Sequence, residues 1–263
     1  MPAVHLIYRS QPPIMAPLFP GSRVQASVRI VKRLIDLVGS TVGIVSAGPI
    51  MGAIALVIKA TSPGPVLYRQ RRAGMLKGET VVDEEMDEFW VLKFRTMVQD
   101  AEARTGAVLS QAGDPRITSI GNFLRRTRLD ELPQFFNVLL GDMSLVGPRP
   151  ERPELIRNLA LAIPFFEERM RDIKPGITGM AQIYLSYRGR MAEGSDLAQL
   201  KETLVNPFDL DGVEDSEADD MRTKMLYDFA YSATLENFWE FLRTDLGIML
   251  KTPLVMFWFR TGE

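Results

Sequence analysis

The stretch from Arg125 to Pro150 reads R-R-T-R-L-D-E-L-P-Q-F-F-N-V-L-L-G-D-M-S-L-V-G-P-R-P, and the rest of the chain is read outward from it. Arg125, Arg126 and Arg128 precede two adjacent carboxylates, Asp130 and Glu131. Neighbouring side chains on a helix point about 100° apart, from 3.6 residues per turn. The two acids therefore do not share one proton as a stacked dyad would; they offer two separate functions at one place. Leu132, Phe135, Phe136, Leu139 and Leu140 recur at helical spacing. Pro133 is tolerated only in a first helical turn, so a helix is expected to begin between Thr127 and Asp130. There the unpaired N–H groups and the helix dipole favour negative charge and can receive a phosphate. Thr127-x-x-Asp130 also fits a capping box in its wider form. The stretch alone leaves capping and chemistry both open.

At 263 residues the chain is one large domain or two small ones, with ample core. It has no cysteine, and its single histidine is His5. Disulfides, thiol nucleophiles and Cys-based metal sites are excluded, and a histidine base or His-rich metal site is not expected. Chemistry falls to carboxylates, hydroxyls, Lys, Arg or a carboxylate-held metal. The net charge of −2 conceals two acidic runs, residues 83–88 and 209–220, that contain no base. The remainder is basic, which suits phosphates or an anionic membrane surface. A nucleic-acid binder would also be basic, but no recognition motif stands out. No nucleic-acid partner is expected.

Residues 1–28 are proline-rich and aperiodic, and read as an irregular tail without a signal peptide. Leu37 to Ile58 is 22 residues without a charge, against the roughly 20 that a membrane-spanning helix needs. Gly48-Pro49 lies in its middle, and proline removes a backbone hydrogen bond there. Basic residues flank both ends: Arg29, Lys32 and Arg33 before, Lys59, Arg69, Arg71 and Arg72 after. That symmetry disagrees with the positive-inside rule for a single span. A re-entrant helix–break–helix, entering and leaving on the cytoplasmic face, accounts for both features. A spanning helix and a buried core helix are the alternatives.

Ser62-Pro-Gly-Pro65 is a stop. Val66 to Arg72 and Trp90 to Met97 read as two strands of a β-hairpin, with Lys93 and Arg95 on one side by period 2 and the acidic run 83–88 in the loop. Gln99 to Ala107 is expected to be a short helix. Glu154 to Arg171 is expected to be helical with an interruption near Pro164, and Lys174 to Gln182 a Gly/Pro loop whose amides could approach an anion. Arg190 to Met221 reads as a polar, acidic insertion; Asp209-Leu-Asp-Gly212 hints at a calcium loop but lacks the remaining spacing. Met225 to Thr252 is expected to be helical, and the aromatic Leu254 to Phe259 suits either a membrane interface or a buried terminal strand. The fold class expected is α+β, mainly helical. It would combine a re-entrant helix (29–60), a catalytic core with a small β-hairpin (61–190), an acidic insertion (191–222) and C-terminal interfacial amphipathic helices (223–263).

Taken in order, these motifs resemble the bacterial monotopic phosphoglycosyl transferases, the bacterial sugar transferases that load a sugar-1-phosphate from a UDP-sugar onto polyprenyl phosphate. The resemblance starts with Lys32-Arg33-x-x-Asp36 and Ser62-Pro-Gly-Pro65, and continues through Lys93-Phe-Arg-Thr-Met97 and Asp114-Pro-Arg-Ile-Thr118. It is densest at Arg128-Leu-Asp-Glu-Leu-Pro-Gln134, Asn137-Val-Leu and Gly141 to Pro150, and runs on to Pro175-Gly-Ile-Thr-Gly179 with Gln182. Tyr227-Asp228 to Lys251-Thr252 resembles the last helices of the family. Each motif is short; the ordered set is specific.

The resemblance implies that Asp130 is the nucleophile and Glu131 a magnesium-associated carboxylate, with Mg²⁺ as cofactor. It implies that Lys93, Arg95, Arg125, Arg149 and Gln182 face phosphate or lipid, and that Gly48-Pro49 is the membrane break. The implied substrates are a UDP-sugar and undecaprenyl phosphate. The implied reaction releases UMP through an aspartyl-phosphosugar intermediate, as the first membrane step of exopolysaccharide or glycan synthesis at the cytoplasmic face of the bacterial inner membrane. Membrane lipids, further copies of the chain and other glycan-pathway enzymes are the partners it suggests. A catalytically silent scaffold of a glycan-assembly complex is the alternative, and the intact carboxylate pair counts against it. The chain departs from the family in three places: the family's break is often Ser-Pro, the hairpin loop around 75–88 is longer, and so is 191–222.

Overall fold

The computed structural model describes residues 24–77, 85–99, 101, 114–185 and 216–258. Among these the chain is mainly helical, with one long apolar N-terminal helix and a small antiparallel sheet. The expected tail, the tip of the hairpin, most of the helix expected over Gln99 to Ala107, the calcium-like loop and most of the acidic insertion lie outside the described residues.

Helix α1 runs Ala26–Thr61, with Pro49 inside it. Here the structure differs from the expected helix–break–helix: Gly48 and Pro49 belong to one continuous helix. Proline removes one donor, the N–H that would meet the Val45 carbonyl, but the turns on either side still close their own hydrogen bonds. One turn earlier Ser46 Oγ donates to the Val42 carbonyl at 2.7 Å, a bond that bends helices without ending them. The helix is long and apolar enough to cross a membrane, and only 22% of its most apolar window is buried. It is therefore not an ordinary core helix. Ile30, Leu34, Val38, Val42 and Val45 form an exposed apolar face.

The opposite face of α1 carries charge, and that charge is used. Lys32 Nζ donates to the Val146 carbonyl, Tyr231 Oη and Asp245 Oδ2 at 2.7–2.9 Å. Asp36 Oδ1 accepts from Ser144 Oγ at 2.9 Å and the Leu145 amide at 2.8 Å. Arg33 donates to the Val138 and Leu139 carbonyls at 2.7 and 2.9 Å, near the C-terminal end of the helix that carries them. The charged residues at the start of an apolar helix thus fasten it to the rest of the protein.

Strands β1 (Leu67–Lys77) and β2 (Glu85–Phe94) pair antiparallel, with Tyr68 opposite Lys93 and Gln70 opposite Val91. The hairpin is longer than expected, and the acidic run is not all loop: Glu85 to Glu88 lie in β2. Asp87 pairs with Lys77 at 2.7 Å and Glu88 pairs with Arg71, so cross-strand charge neutralisation extends the ladder. Beyond Phe94 the strand stops; Met97 makes only an isolated bridge to Ile117.

The deciding stretch folds differently from the expected single helix. Helix α2 spans Ser119–Thr127 and is capped by Thr118, whose Oγ1 accepts from the Gly121 amide at 3.0 Å. A Cβ at Gly121 would stand 1.9 Å from the Thr96 carbonyl oxygen, so only glycine lets α2 lie this close to the chain leaving β2. Arg128, left-handed at φ 58°, ends α2. A 3-10 turn follows over Leu129–Glu131, and then α3 at Gln134–Leu140. Thr127 is the last residue of α2 and its hydroxyl donates back to the Phe123 carbonyl at 2.8 Å, so the capping box does not form. Gly141, at φ 98°, closes α3.

Two short strands that the sequence does not lead one to expect, β3 (Ser144–Val146) and β4 (Gly176–Thr178), pair in parallel, the second inside the expected Gly/Pro loop. Between them lie α4 (Pro153–Ala162) and a 3-10 segment over Phe166–Met170, with the expected interruption at Pro164. Helix α5 (Met180–Tyr184) follows β4. The C-terminal helical stretch is two helices, α6 (Ser216–Thr234) and α7 (Phe238–Trp258), and the aromatic Leu254 to Trp258 continues α7 instead of forming a strand. Asn237 Oδ1 accepts from the Trp239 and Glu240 amides and so restarts the chain as α7. The main core gathers Val28, Val91, Val138, Met143, Tyr231, Phe241 and Ile248 from α1, β2, α3, the turn between α3 and β3, α6 and α7.

Candidate active site

Three elements converge on the carboxylate pair. The 3-10 turn presents Asp130 and Glu131, β2 presents Lys93, and the segment after β3 presents Arg149. Asn137 sets their spacing. Its side chain accepts from the Leu92 amide at 2.9 Å and donates to the Trp90 carbonyl at 2.8 Å, tying α3 to the backbone of β2. Lys93, next to Leu92, is thereby held against the turn that precedes α3.

The two acids have different electrostatic surroundings. One oxygen of Glu131, Oε1, accepts from Lys93 Nζ at 2.8 Å and from Arg149 Nη2 at 2.8 Å, with Arg128 Nη1 at 4.0 Å. Burial alone would push its carboxyl up, but Arg149 and Lys93 outweigh burial and hold it well below the usual range. Burial also draws Lys93 below the usual lysine range despite the adjacent Glu131. Asp130 is 8% exposed, and its Oδ1 is buried with no hydrogen-bond partner. Burial, then the charge of Glu131, push its carboxyl up to about 6 against the opposing pull of Lys93, Arg128 and Arg125. One carboxylate is locked as an anion among cations. Its neighbour keeps one buried oxygen without a hydrogen-bond partner and has raised basicity.

The other expected residues are placed as follows. Arg125 donates through Nε to Thr96 Oγ1 at 2.8 Å and lies near enough to act electrostatically on Asp130. Arg95 turns away: its Nη2 donates to the Ser62 carbonyl at 2.9 Å and to Ser62 Oγ at 2.6 Å, fixing the end of α1 to the end of β2. The period-2 pairing of Lys93 with Arg95 fails because the strand ends at Phe94, between them. Gln182 lies on α5 beside Gly179, and its amide oxygen and nitrogen are buried with no hydrogen-bond partner. Gly48 and Pro49 lie far along α1, and a Cβ at Gly48 would meet nothing within 4 Å.

A crevice beside the pair is lined by Arg72, Val91, Lys93, Gln134, Arg149 and Pro150. Arg72 and Gln134 were not singled out in the sequence, where Arg72 is one of several arginines in a basic strand. Burial lowers the Arg72 guanidinium to about 10, partly offset by Glu151. A buried cleft rich in cations, next to an available carboxylate, suits phosphoryl chemistry on an anionic substrate.

The residues also fit a divalent cation shared with a substrate. Magnesium binds one or two carboxylates and completes its shell with phosphate oxygens and water. Asp130 and Glu131 are adjacent, and Asp130 Oδ1 is unpartnered. Among the described residues no cluster of three or more His, Cys, Asp or Glu could hold a metal by itself.

A family model for bacterial sugar transferases matches residues 27–259. The UDP-N-acetylgalactosamine-undecaprenyl-phosphate N-acetylgalactosaminephosphotransferase of Aeromonas hydrophila is 37% identical over 222 residues, which is 84% of this chain and 42% of that protein. The UDP-glucose:undecaprenyl-phosphate glucose-1-phosphate transferase of Escherichia coli (strain K12) is 45% identical over 157 residues, 59% of this chain and 31% of that one. The exopolysaccharide production protein PSS of Rhizobium leguminosarum bv. phaseoli is 39% identical over 157 residues, 59% of this chain and 74% of that protein. The chain thus spans less than half the length of the first two relatives. The family match takes in every element from α1 to α7, the carboxylate pair included, and the chain belongs to the bacterial sugar transferase family.

Proposed function

We propose that this chain transfers a sugar-1-phosphate from a UDP-sugar to undecaprenyl phosphate and releases UMP. The observation that carries the reading is the division of labour in the pair: Asp130 with a buried, unpartnered oxygen, beside a Glu131 whose Oε1 is held by Lys93 and Arg149. An oxygen of Asp130 attacks the β-phosphorus of the UDP-sugar. The bond from that phosphorus to the bridging oxygen breaks, and the oxygen leaves with UMP. A phosphate oxygen of the lipid then attacks the same phosphorus, the bond to Asp130 breaks, and the carboxylate is restored. Splitting one difficult transfer into two in this way is ordinary nucleophilic catalysis. Lys93, Arg149 and Arg125 supply positive charge where charge develops on the phosphoryl oxygens. Asp130 and Glu131 would hold Mg²⁺ together with the substrate; when bound, the ion offsets repulsion between an anionic nucleophile and an anionic diphosphate.

The membrane reading rests on α1 and α7. We take α1 as re-entrant, hinged at Pro49, because basic residues flank both of its ends. The exposed stripe Trp239, Leu246, Leu250 and Leu254 on α7 supports an interfacial position for that helix. The site would then lie at the cytoplasmic face of the bacterial inner membrane, where a soluble nucleotide sugar and a lipid phosphate meet. The names of these relatives support undecaprenyl phosphate as acceptor and exopolysaccharide as product. The test is a UMP-release screen over a panel of UDP-sugars with undecaprenyl phosphate and Mg²⁺. Release that is lost in Asp130→Asn is expected; undiminished release in that variant overturns the nucleophile.

A further inference from the structure

Arg149 is held from behind as well as in front. Its side chain reaches Glu131, while its own carbonyl accepts from Arg169 Nη2 at 3.0 Å. Arg169 belongs to the 3-10 segment after α4 and is 1% exposed. Its Nη1 donates to Asp228 Oδ2 on α6 at 2.7 Å, and its guanidinium stacks over the Phe166 ring at 4.5 Å. A continuous line of contacts therefore joins α6 to the carboxylate pair: Asp228, Arg169, the Arg149 backbone, the Arg149 side chain, Glu131.

The local sequence explains why such a brace is needed. Arg149 lies between Pro148 and Pro150, and neither proline has an N–H to give to a ladder. The segment is fixed through its carbonyls instead: Pro148 accepts from the Gly176 amide at 2.8 Å, Arg149 from Arg169, and Pro150 from Arg72 at 3.3 Å. Stability gives no reason for a fully buried Arg–Asp pair, because apolar residues of similar volume generally serve as well or better. The fixed geometry of a guanidinium that spans two acceptors does give one.

We propose that Asp228 and Arg169 are positioning residues for the transferase site, bracing the Arg149 backbone so that its guanidinium stays on Glu131. The proposal rests on the transferase reading above. Its test is the paired replacement Arg169→Met with Asp228→Leu, which removes both charges together and leaves neither ion stranded. The full-length double variant should melt close to wild type, while kcat falls by about tenfold, the rate equivalent of one net hydrogen bond. In an Arg149→Ala background the same paired replacement should leave kcat unchanged, since nothing remains to be positioned. Amide hydrogen exchange over residues 147–151, read without substrate, should speed up in the double variant. Should the double variant fail to fold, Arg169→Lys keeps the charge pair but not the two-acceptor span, and the same three readouts apply. Undiminished kcat, an equal loss in the Arg149→Ala background, or unchanged exchange over 147–151 overturns the brace. Absence of UMP release by the wild type with every UDP-sugar would instead overturn the transferase reading, and the exchange result would still decide the brace.

Discussion

Asp130→Asn should stabilise the protein while removing its chemistry. The Asp130 carboxyl is pushed up to about 6 from an ordinary 3.8, first by burial and next by Glu131. A carboxyl whose folded value lies above its unfolded one binds its proton more tightly in the folded state, so its ionisation opposes folding. At about pH 8 it is ionised in both states and the whole penalty is present. As pH falls through about 6 the folded protein takes up the proton and the penalty shrinks; below the unfolded value of 3.8 both states are protonated and it is gone. The difference between the two values converts to about 3 kcal/mol. Asparagine is neutral and nearly the same shape, and Oδ1 has no hydrogen bond to lose. Allowing for local relaxation, a gain of about 1–3 kcal/mol is expected at about pH 8, or some 2–4 °C in Tm for each kcal/mol in a chain of this size. Thermal unfolding in detergent at pH values on either side of 6 measures it. An Asp130→Asn protein less stable than wild type at about pH 8, or equally stabilised at pH 8 and below 4, would refute the reasoning.

Glu131→Gln should do the opposite. It leaves Lys93 and Arg149 without their anion, and removing one member of a buried pair costs about 3–5 kcal/mol; the same melts should show a fall in Tm that narrows as acid protonates Glu131 in the wild type. Gly121→Ala drives a methyl into the Thr96 carbonyl, where overpacking costs at least about 1–3 kcal/mol, and should lower Tm without a change in the pH dependence of activity. Because the chain has no cysteine, single replacements Gln25→Cys and Arg69→Cys report the two ends of α1 directly. Both should react with an impermeant thiol reagent from the cytoplasmic side, and labelling from opposite sides would end the re-entrant reading.

The order of motifs from Lys32 to Thr252 was legible because each motif is local, and the family match confirms the assignment. So were the apolar α1 and the hairpin, whose periods show in a single chain. The reading went astray where one backbone angle decides. A left-handed Arg128 splits α2 from the 3-10 turn, and no glycine marks the place. The Asp130 environment is consequently not a helix N-terminus; its field comes from Glu131 and the surrounding cations. Arg95 looked like the partner of Lys93 because alternation was carried one residue past the strand's end. The brace through Arg169 and Asp228 joins residues 59 positions apart and leaves no local pattern. The same holds for Lys32 and Asp245, which meet across 213 positions.

The central claim is that Asp130 carries the phosphosugar. The direct measurement is intact-protein and peptide mass spectrometry after incubation with the UDP-sugar and Mg²⁺ but no lipid acceptor. The account predicts one equivalent of UMP released and a sugar-phosphate adduct on the peptide containing Asp130. That adduct should disappear when undecaprenyl phosphate is added, and should never form in Asp130→Asn. UMP released only when the lipid is present, with no adduct at any time, would contradict it.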